Sequence, residues 1–425
     1  MNWTINPSSS LRGDVSMPGD KSISHRALMH AALARGASRL QNFLRAGVTE
    51  AMMRCVRDLG VGLETQADGA LIVHGGQLRS PVVNLDCGNS GATMRMLMGA
   101  LAGQPGLVVT LDGSAGLRRR PMRRVAEPLR LMGAELGDTP PLSIHGRLLH
   151  GLEYTMPVAS AQVKAAILLA ALQADGPTTI HEPGPSRDHS ERMLQSCGVS
   201  VLARNHTVTL TPPEKPLAAF EMTIPGDISA AAFVFAAAAL LPNSDVTVKH
   251  VGVNDTRTGL LEALAAMGGD VGVANVREVN GEPIADVTVK SSELRGITVA
   301  GDLVVRMIDE FPIFAVLATQ ARGETIVRDA EELRVKESDR IGSLASELRR
   351  LGAPIEERPD GFVVAGPARL RGAAVDSHGD HRLAMALAVA GLIAEGETIV
   401  TRAEAYRESF PDFVELMRAL KAQIE

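Results

Sequence analysis

The sequence predicts an α/β protein made of six βαβαββ repeats in two similar lobes. Three observations support this: a helix-opening pattern found six times, a second amphipathic helix after each copy, and short β-rich segments between the helices. In the pattern, a turn rich in Gly, Asp, Asn or Ser opens an Ala- and Leu-rich helix, and a Gly closes most copies. The copies start at Pro18, Cys87, Ala159, Pro225, Ile308 and Gly379.

The spacing of the copies, about 70 residues with one longer gap, identifies the kind of repeat. It exceeds the roughly 20–50 residues of common solenoid repeats, so each copy should be a small α/β module. The second helix of a repeat carries apolar residues at helical spacing, as in Leu260, Leu264 and Met267, and usually ends at Leu-Gly or Met-Gly. Examples of these helices are predicted within 49–64, 119–136, 186–201, 256–271 and 337–355. Strands are predicted at 71–74, 107–111, 178–181, 207–211, 245–248, 286–289, 325–327, 361–364 and 397–400.

The repeats divide into two groups of three at a proline-rich gap. Residues 211–227 contain four prolines and form the best crossover. We therefore expect a first lobe at 18–224, and a second lobe at 225–425 together with 1–17, with the ligand cleft between them. The alternative is one continuous array of six stacked repeats.

Composition excludes several classes of protein. A chain of 425 residues exceeds the roughly 250–300 at which a single core stops growing. The formal charge of −6 and 3% aromatic content argue against nucleic acid as the partner. Three scattered cysteines form neither a disulfide framework nor a zinc site. With no secretory signal, and no apolar run longer than 230–241, we expect a cytoplasmic protein without a membrane partner.

The first helix opening predicts an anion site. Lys21 and Ser22 lie at the mouth of the helix, and Arg26 lies four residues after Ser22 on the same face. Cationic and hydroxyl groups therefore converge with the outward-pointing amides of a helix N-terminus, which is typical of phosphate or carboxylate binding. The alternative is a capped helix with a solvated cationic turn. The segment lacks GxxxxGK[ST], so it does not predict an ATPase.

Two further segments of the first half support anion binding. In the second helix opening, glycines flank Asn89 and Ser90 and let a ligand approach the backbone. Five arginines then fall within 118–124, where Pro121 suits a first helical turn and directs Arg120 toward what precedes it.

The second half supplies carboxylates among cations. Asp309 and Glu337, flanked by Lys336, Arg340 and Arg382, resemble acid/base groups held between anion clamps. The alternative for each is a structural ion-pair network. The segment 376–381 resembles a metal cluster, but no further ligand set lies nearby, so we expect no metal.

Seven strings of the chain, in order, are PGDKSISHRAL, CGNSGATMRML, RRRPM, SAQVK, RVKESDRI, GDHRLAMA and SFPDF. Together they closely resemble the 5-enolpyruvylshikimate-3-phosphate synthase family over essentially the whole chain. The resemblance implies two lobes, each an inside-out α/β barrel of three βαβαββ units that closes on substrate. It also implies transfer of the carboxyvinyl group of phosphoenolpyruvate to the 5-hydroxyl of shikimate 3-phosphate by a monomer that needs no cofactor.

The resemblance also implies roles for individual residues. Shikimate 3-phosphate would be held by Lys21, Ser22, Arg26, Ser160, Ala161 (through its backbone), Gln162 and Ser186. Phosphoenolpyruvate would be held by Lys21, Asn89, Gly91, Arg120, Arg340 and Arg382. Asp309 would take the proton of the attacking hydroxyl, with Lys336, Glu337 and Lys21 assisting at the reacting centre. Glu408 stands where some members of the family carry a Lys before the tail motif, so no contact is assigned there.

Two rival functions stay open on the sequence alone. UDP-N-acetylglucosamine enolpyruvyl transferases share the fold, but they carry Lys-Asn instead of Lys21-Ser22 and a Cys in the loop that is 113–118 here. A non-catalytic anion-binding repeat protein would not need carboxylates paired with the cations.

Overall fold

The computed structural model describes residues 1–425, which divide into two compact units. The first unit comprises Gly19–Pro225 and Glu278–Glu282. The second unit comprises Met1–Pro18, Gly226–Arg277 and Pro283–Glu425. The chain therefore passes from one unit to the other near Pro18, near Pro225 and at both ends of the short segment Glu278–Glu282.

The helices and strands follow the predicted alternation along the chain. The strands are β1 (Trp3–Ile5), β2 (Arg12–Ser16), β3 (Gly36–Gln41), β4 (Gly62–Thr65), β5 (Leu71–Gly75), β6 (Leu85–Asp86), β7 (Val108–Asp112), β8 (Glu135–Leu136), β9 (Leu142–His145), β10 (Glu153–Thr155), β11 (Thr178–His181), β12 (Ser200–Arg204), β13 (Thr207–Thr211), β14 (Glu221–Thr223), β15 (Asp245–Gly252), β16 (Asp270–Val279), β17 (Glu282–Lys290), β18 (Thr298–Val299), β19 (Gly323–Val327), β20 (Ile355–Arg358), β21 (Gly361–Gly366), β22 (Ala374–Asp376) and β23 (Thr398–Thr401). The helices are α1 (Lys21–Leu33), α2 (Gly47–Asp58), α3 (Gly91–Ala102), α4 (Ala115–Arg118), α5 (Arg123–Leu131), α6 (Ala161–Ala171), α7 (His189–Ser196), α8 (Ile228–Leu240), α9 (Gly259–Ala266), α10 (Asp302–Arg306), α11 (Phe311–Gln320), α12 (Arg340–Arg350), α13 (His381–Ile393) and α14 (Phe413–Ala419). Two 3₁₀ turns lie at Glu331–Val335 and Ala403–Glu408.

Three four-stranded sheets of the same design form the first unit. Their strand orders are β14-β3-β5-β4, β6-β7-β9-β8 and β10-β11-β13-β12. In each sheet the first two strands are parallel and the remaining pairings are antiparallel. A parallel pair needs a crossover, which the helix supplies, whereas a tight turn suffices for the closing hairpin. The βαβαββ prediction therefore describes these repeats.

The second unit has two sheets of this design and one that differs. The orders are β16-β17-β15-β2 and β18-β19-β21-β20, while the third sheet has only the strands β1-β23-β22. The sixth repeat has no closing hairpin of its own. The N-terminal strand β1 takes its place and pairs antiparallel with β23, with Trp3 opposite Val400.

Two strands form the edge of a sheet whose other strands are distant from them in sequence. Strand β2 directly precedes α1 but pairs in parallel with β15, with Arg12 opposite Asp245. Strand β14 directly precedes α8 but pairs in parallel with β3, with Glu221 opposite Arg39. The first and fourth repeats thus each obtain their first strand from a remote segment of the chain.

The helix that opens each repeat is buried on almost all sides. In α8 every residue from Ile228 to Ala239 is buried, as expected of a helix that is apolar all round. Helices α8, α11 and α13 contact one another in the second unit, and α3 contacts both α1 and α6 in the first. Gly99 shows how close the packing is, because a Cβ there would lie 2.1 Å from the carbonyl oxygen of Ala166. These six central helices form the cores, and each also packs on a strand of its own sheet.

His30 makes the stability of this core dependent on pH. It is 1% exposed within α1, and burial, reinforced by the charge of Arg26, lowers the pKa of His30 to about 3. In the unfolded chain the group titrates near its ordinary pKa of 6.5, so between these two pH values the unfolded state binds the extra proton. The stability from neutral His30 is therefore complete above about pH 6.5 and is lost as the pH falls toward 3.

We expect His30→Gln to flatten the pH dependence of the free energy of unfolding. Between about pH 6 and pH 4 the slope should fall by about 1.4 kcal/mol per pH unit, since one titrating group is removed. Urea unfolding at several pH values measures this slope. His145→Gln, at an exposed position, is the matched control and should keep the wild-type slope. Equal slopes in His30→Gln and wild type would contradict the prediction.

Candidate active site

The N-termini of α1, α3 and α6 lie together in the first unit. Each helix begins with a side-chain cap: Asp20 accepts from the amide of Ile23 (2.9 Å), and Ser90 and Ser160 accept in the same way from the amides three residues later. The remaining amides of each first turn have no partner within their helix. Three helix dipoles thus present their positive ends in one region, which favours anions.

Arg26 joins these helix starts. It is 4% exposed, and its guanidinium donates to the Ser190 hydroxyl (2.8 Å), the Ser22 carbonyl (3.0 Å) and the Ala161 carbonyl (3.2 Å). Arg26 therefore fixes α1 against the starts of α6 and α7. Binding of a substrate by Arg26 stays a prediction.

Lys21 and Ser22 occupy the first two positions of α1 and are partly exposed. Arg187 Nη1 donates to Ser22 Oγ over 3.4 Å, which adds a third cation near this helix mouth. Arg187 was not among the residues predicted from the sequence. Its position next to Ser186 in SRDHSE was the only local signal.

Gly91 and Arg120 lie in contact at the mouth of α3. A Cβ on Gly91 would stand 3.0 Å from Arg120 Nη1 and 3.3 Å from its Cζ, so the absence of a side chain lets the guanidinium rest on the helix start. Asn89 is exposed, and its side-chain oxygen accepts from Ser114, the N-cap of α4. Arg120 thus lies against the start of the helix that Asn89 precedes, and the binding of a ligand by Asn89, Gly91 and Arg120 stays a prediction.

Gln162 and Ser186 are each held by residues that sequence reasoning missed. Arg95 donates from Nη1 to the Gln162 side-chain oxygen and from Nη2 to the carbonyl of Pro121 (3.3 Å). Arg95 follows Gly91 by about one helical turn, which is a signal that the motif contained. Ser186 is buried, and its hydroxyl donates to Glu182.

A buried ion cluster supports Ser186. Lys164 Nζ lies 2.7 Å from Glu182 and 2.6 Å from Glu191, and all three side chains are at most 5% exposed. Burial alone would lower the pKa of Lys164, but the two carboxylates outweigh it and raise that pKa. Burial raises the pKa of Glu191. Removing one member would leave buried charge without compensation, so the cluster fixes the loop that carries Ser186.

Arg340 organises the corresponding region of the second unit. Its guanidinium is 1% exposed and donates to Asp380 (2.8 Å), Glu337 (2.7 Å) and Asp309 (3.3 Å). Asp309 is 19% exposed and Glu337 28%, so both carboxylates reach solvent, whereas Asp380 is fully buried. The predicted pair Asp309 and Glu337 is thus brought together on one guanidinium.

The charges of this cluster shift one another's protonation. Burial alone would lower the pKa of Arg340, but Asp380, Glu337 and Asp309 outweigh it and raise the pKa, so Arg340 stays charged. Burial lowers the pKa of Lys336, and nearby Arg340 lowers it further, against the opposing effect of Glu332 and Asp309. A lysine made easier to deprotonate beside solvent-accessible carboxylates is suited to proton transfer.

Arg382 joins the N-termini of the three central helices of the second unit. It is the second residue of α13, whose N-cap is Asp380, and it donates to the carbonyl of Ser229 in α8 over 3.0 Å. The Ser229 hydroxyl in turn donates to Glu310, which precedes α11, and accepts from Arg257 (2.8 Å). Arg257 was not predicted, because nothing in its local sequence marks it. The second unit thus repeats the convergence of helix starts found in the first.

The segment that resembled a metal cluster forms ion pairs. His378 Nε2 lies 3.0 Å from Glu347, and Asp376 pairs with Arg402 (2.6 Å). In residues 1–425 no group of three or more His, Cys, Asp or Glu side chains is arranged to hold a metal ion.

A cavity of about 570 Å³ lies elsewhere in the first unit, at the C-terminal ends of α1 and α6. Leu33, Leu172 and Gln104 are among its lining residues, and none of the predicted site residues lines it. At about 1.5 Å per helical residue, it lies about 15 Å or more from the helix starts described above.

Comparison with known proteins places these features in context. Residues 5–417 match the family described as EPSP synthase (3-phosphoshikimate 1-carboxyvinyltransferase). A relative from Gloeobacter violaceus with the name 3-phosphoshikimate 1-carboxyvinyltransferase is 49% identical over 99% of both chains. A relative of the same name from Thermodesulfovibrio yellowstonii is 47% identical over 99% of this chain and 100% of its own.

Two solved structures share the fold. The EPSP synthase from Acinetobacter baumannii superimposes with a TM-score of 0.89 at 40% identity, covering 100% of this chain and 99% of its own. The enolpyruvyl transferase NikO from Streptomyces tendae superimposes with a TM-score of 0.83 at 20% identity, covering 100% and 98%, and indicates a common fold only.

Proposed function

Because the chain belongs to the EPSP synthase (3-phosphoshikimate 1-carboxyvinyltransferase) family, we propose that the two clusters described above bind its substrates and carry its chemistry. The enzyme transfers the carboxyvinyl group of phosphoenolpyruvate to the 5-hydroxyl of shikimate 3-phosphate and releases phosphate. It is a transferase of the shikimate pathway that acts on small anionic substrates.

In this proposal, the first unit binds through cations and helix starts. Lys21, Ser22 and Arg26, with the start of α6 (Ser160, Ala161, Gln162) and Ser186, hold shikimate 3-phosphate. Asn89, Gly91 and Arg120 hold phosphoenolpyruvate, and Lys21 reaches both substrates. The positive ends of three helices together with several cations support this assignment, because the substrates bring about four to five negative charges that lose water on binding.

The second unit supplies the reaction centre. Asp309 accepts the proton of the 5-hydroxyl as its oxygen forms a bond to the substituted carbon of phosphoenolpyruvate, and the methylene carbon takes up a proton. The resulting tetrahedral intermediate returns a proton from its methyl group as the C–O bond to phosphate breaks, which restores the vinyl group. Glu337 and Lys21, assisted by Lys336, exchange the second proton, while Arg340 and Arg382 hold the phosphoenolpyruvate anion. The single observation that carries this proposal is Arg340 bonded to both Asp309 and Glu337.

The location, the oligomeric state and the cofactor requirement of the enzyme are also part of the proposal. No helix has the length and apolar character needed to cross a bilayer. We propose that the protein works in the cytoplasm as a monomer. It needs no metal or redox cofactor, because two or three acid/base groups suffice for an addition and an elimination.

Phosphate release tests both the reaction and the role of Asp309. Wild-type protein should release phosphate from phosphoenolpyruvate with shikimate 3-phosphate but not with UDP-N-acetylglucosamine. Asp309→Ala should fold normally and lose about 10²–10⁴-fold in kcat, the usual contribution of a general base. Asp302→Ala, an exposed aspartate of α10, is the matched control and should keep wild-type kcat. An Asp309→Ala enzyme that retains more than half of wild-type turnover refutes the assignment.

Gly91→Ala tests the phosphoenolpyruvate subsite. The new methyl would meet the Arg120 guanidinium at 3.0 Å and displace it by a few tenths of an ångström. We expect KM for phosphoenolpyruvate, and the inhibition constant of its analogue glyphosate, to rise by roughly tenfold, which corresponds to about 1.4 kcal/mol. Gly116→Ala is the control, since a methyl there would meet nothing closer than 3.6 Å. An unchanged inhibition constant of glyphosate in Gly91→Ala would contradict the assignment of Gly91 to the phosphoenolpyruvate subsite.

A further inference from the structure

We propose that His25 is a positioning residue that fixes the start of α1 against the start of α3, and so holds the subsites for the two substrates in register. This inference rests on the proposed function, in which Lys21 and Ser22 bind shikimate 3-phosphate while Asn89 and Gly91 bind phosphoenolpyruvate. His25 is not itself assigned to contact either substrate.

The geometry of His25 carries the inference. The side chain is 1% exposed, and its two ring nitrogens face two different helix starts. Nδ1 lies 2.7 Å from the carbonyl oxygen of Lys21 at the first position of α1. Nε2 lies 3.2 Å from Oγ of Ser90, the N-cap of α3. One ring therefore spans the mouths of both helices.

The donors and acceptors fix the tautomer. Burial lowers the pKa of His25 to about 4, so the ring is neutral at neutral pH and carries one N–H. A carbonyl oxygen can only accept, and both the Lys21 and the Val48 carbonyls face the ring. The Lys21 bond is the larger effect of the two and has a length of 2.7 Å, so we place the hydrogen on Nδ1. Nε2 is then an acceptor, and the Ser90 hydroxyl donates to it.

The same assignment completes the bonding of Ser90. Its oxygen accepts from the amide of Thr93 at 3.1 Å, and the Thr93 hydroxyl lies 2.8 Å away. Donation to His25 uses the one hydrogen of the Ser90 hydroxyl. The cap of α3 thus depends on His25 for its orientation, and Asn89 and Gly91 are the immediate neighbours of that cap.

The two ring bonds have separate consequences. The bond to the Lys21 carbonyl holds the first turn of α1, in which Ser22 binds shikimate 3-phosphate and Lys21 reaches both substrates. The bond to Ser90 holds the cap of α3, beside the phosphoenolpyruvate residues. Loss of the bond to Ser90 therefore loosens the phosphoenolpyruvate residues of α3 alone, whereas loss of the bond to Lys21 affects the binding of both substrates.

A pair of conservative variants separates these bonds. His25→Asn keeps an N–H near the position of Nδ1 but cannot reach Ser90. His25→Gln can place its side-chain oxygen near the position of Nε2 but loses the Lys21 bond. We expect His25→Asn to raise KM for phosphoenolpyruvate about three- to tenfold more than KM for shikimate 3-phosphate, and His25→Gln to raise both KM values without that bias.

The controls distinguish positioning from general damage. His30→Gln alters a second histidine of α1 that is equally buried and should show no substrate bias. Adding His25→Asn to Ser90→Ala should raise KM for phosphoenolpyruvate no further, since both changes break the same bond. If a His25 variant does not fold, Ser90→Ala alone should still raise KM for phosphoenolpyruvate without raising KM for shikimate 3-phosphate.

Several outcomes would overturn the inference. The first is that both His25 variants raise the two KM values in proportion, or leave them unchanged. The second is that His25→Asn and Ser90→Ala raise KM for phosphoenolpyruvate additively. The third is that His30→Gln raises KM for phosphoenolpyruvate more than KM for shikimate 3-phosphate, as His25→Asn does. Failure of the proposed function would look different. In that case Asn89→Ala would leave KM for phosphoenolpyruvate unchanged, and Ser22→Ala would leave KM for shikimate 3-phosphate unchanged, whatever the His25 variants do.

Discussion

The packing of short, largely apolar helices against one another is the constraint on which the rest of the molecule depends. Helices such as α8 present no polar face, so they are stable only when other elements surround them. Each unit places three buried helices in its core, and each of these helices packs on a strand of its own sheet. Residues at the N-termini of these helices are in hydrogen-bond contact in both units, which brings polar caps and cations to one end of each core. The anion-binding character of the protein is thus a consequence of how its core is built.

Burial gives the cations of these clusters fixed positions. An exposed Arg–carboxylate pair contributes little and moves freely, whereas Arg340 and Lys164 are almost fully removed from water and held by two or three carboxylates each. Such clusters do not necessarily stabilise the fold, because desolvation offsets much of the attraction. They fix the positions of side chains instead: Asp309 and Glu337 accept hydrogen bonds from one guanidinium, and Ser186 donates to one carboxylate.

Sequence periodicity predicted the elements well because each signal was local. The helix-opening pattern and the Gly stops locate the central and second helices to within a few residues, and the predicted strand at 178–181 is β11. The sixth repeat lacks its predicted hairpin, since its closing strand comes from Trp3–Ile5 at the other end of the chain. No local pattern could have indicated that exchange.

The residues of the candidate site show the same difference between local signals and contacts with remote segments. Lys21, Gly91 and Arg340 were recognisable because their motifs are dense in charge or glycine. Arg95, Lys164 and Arg257 act through partners that are remote in sequence or lie in another element, so their importance became visible only when the side chains were placed. His25 lay inside a recognised motif, but only the positions of its two ring nitrogens show why that motif contains a histidine.

The borrowed strands have a consequence for the order in which the protein can be completed on the ribosome. The first sheet stays open until β14 at Glu221–Thr223 has been synthesised, since that strand supplies its edge. Strand β2, at Arg12–Ser16, is made early yet has no partner until β15 emerges more than 200 residues later. The nascent N-terminus must therefore stay unpaired through most of translation, and the second unit can close only after nearly the whole chain has been made.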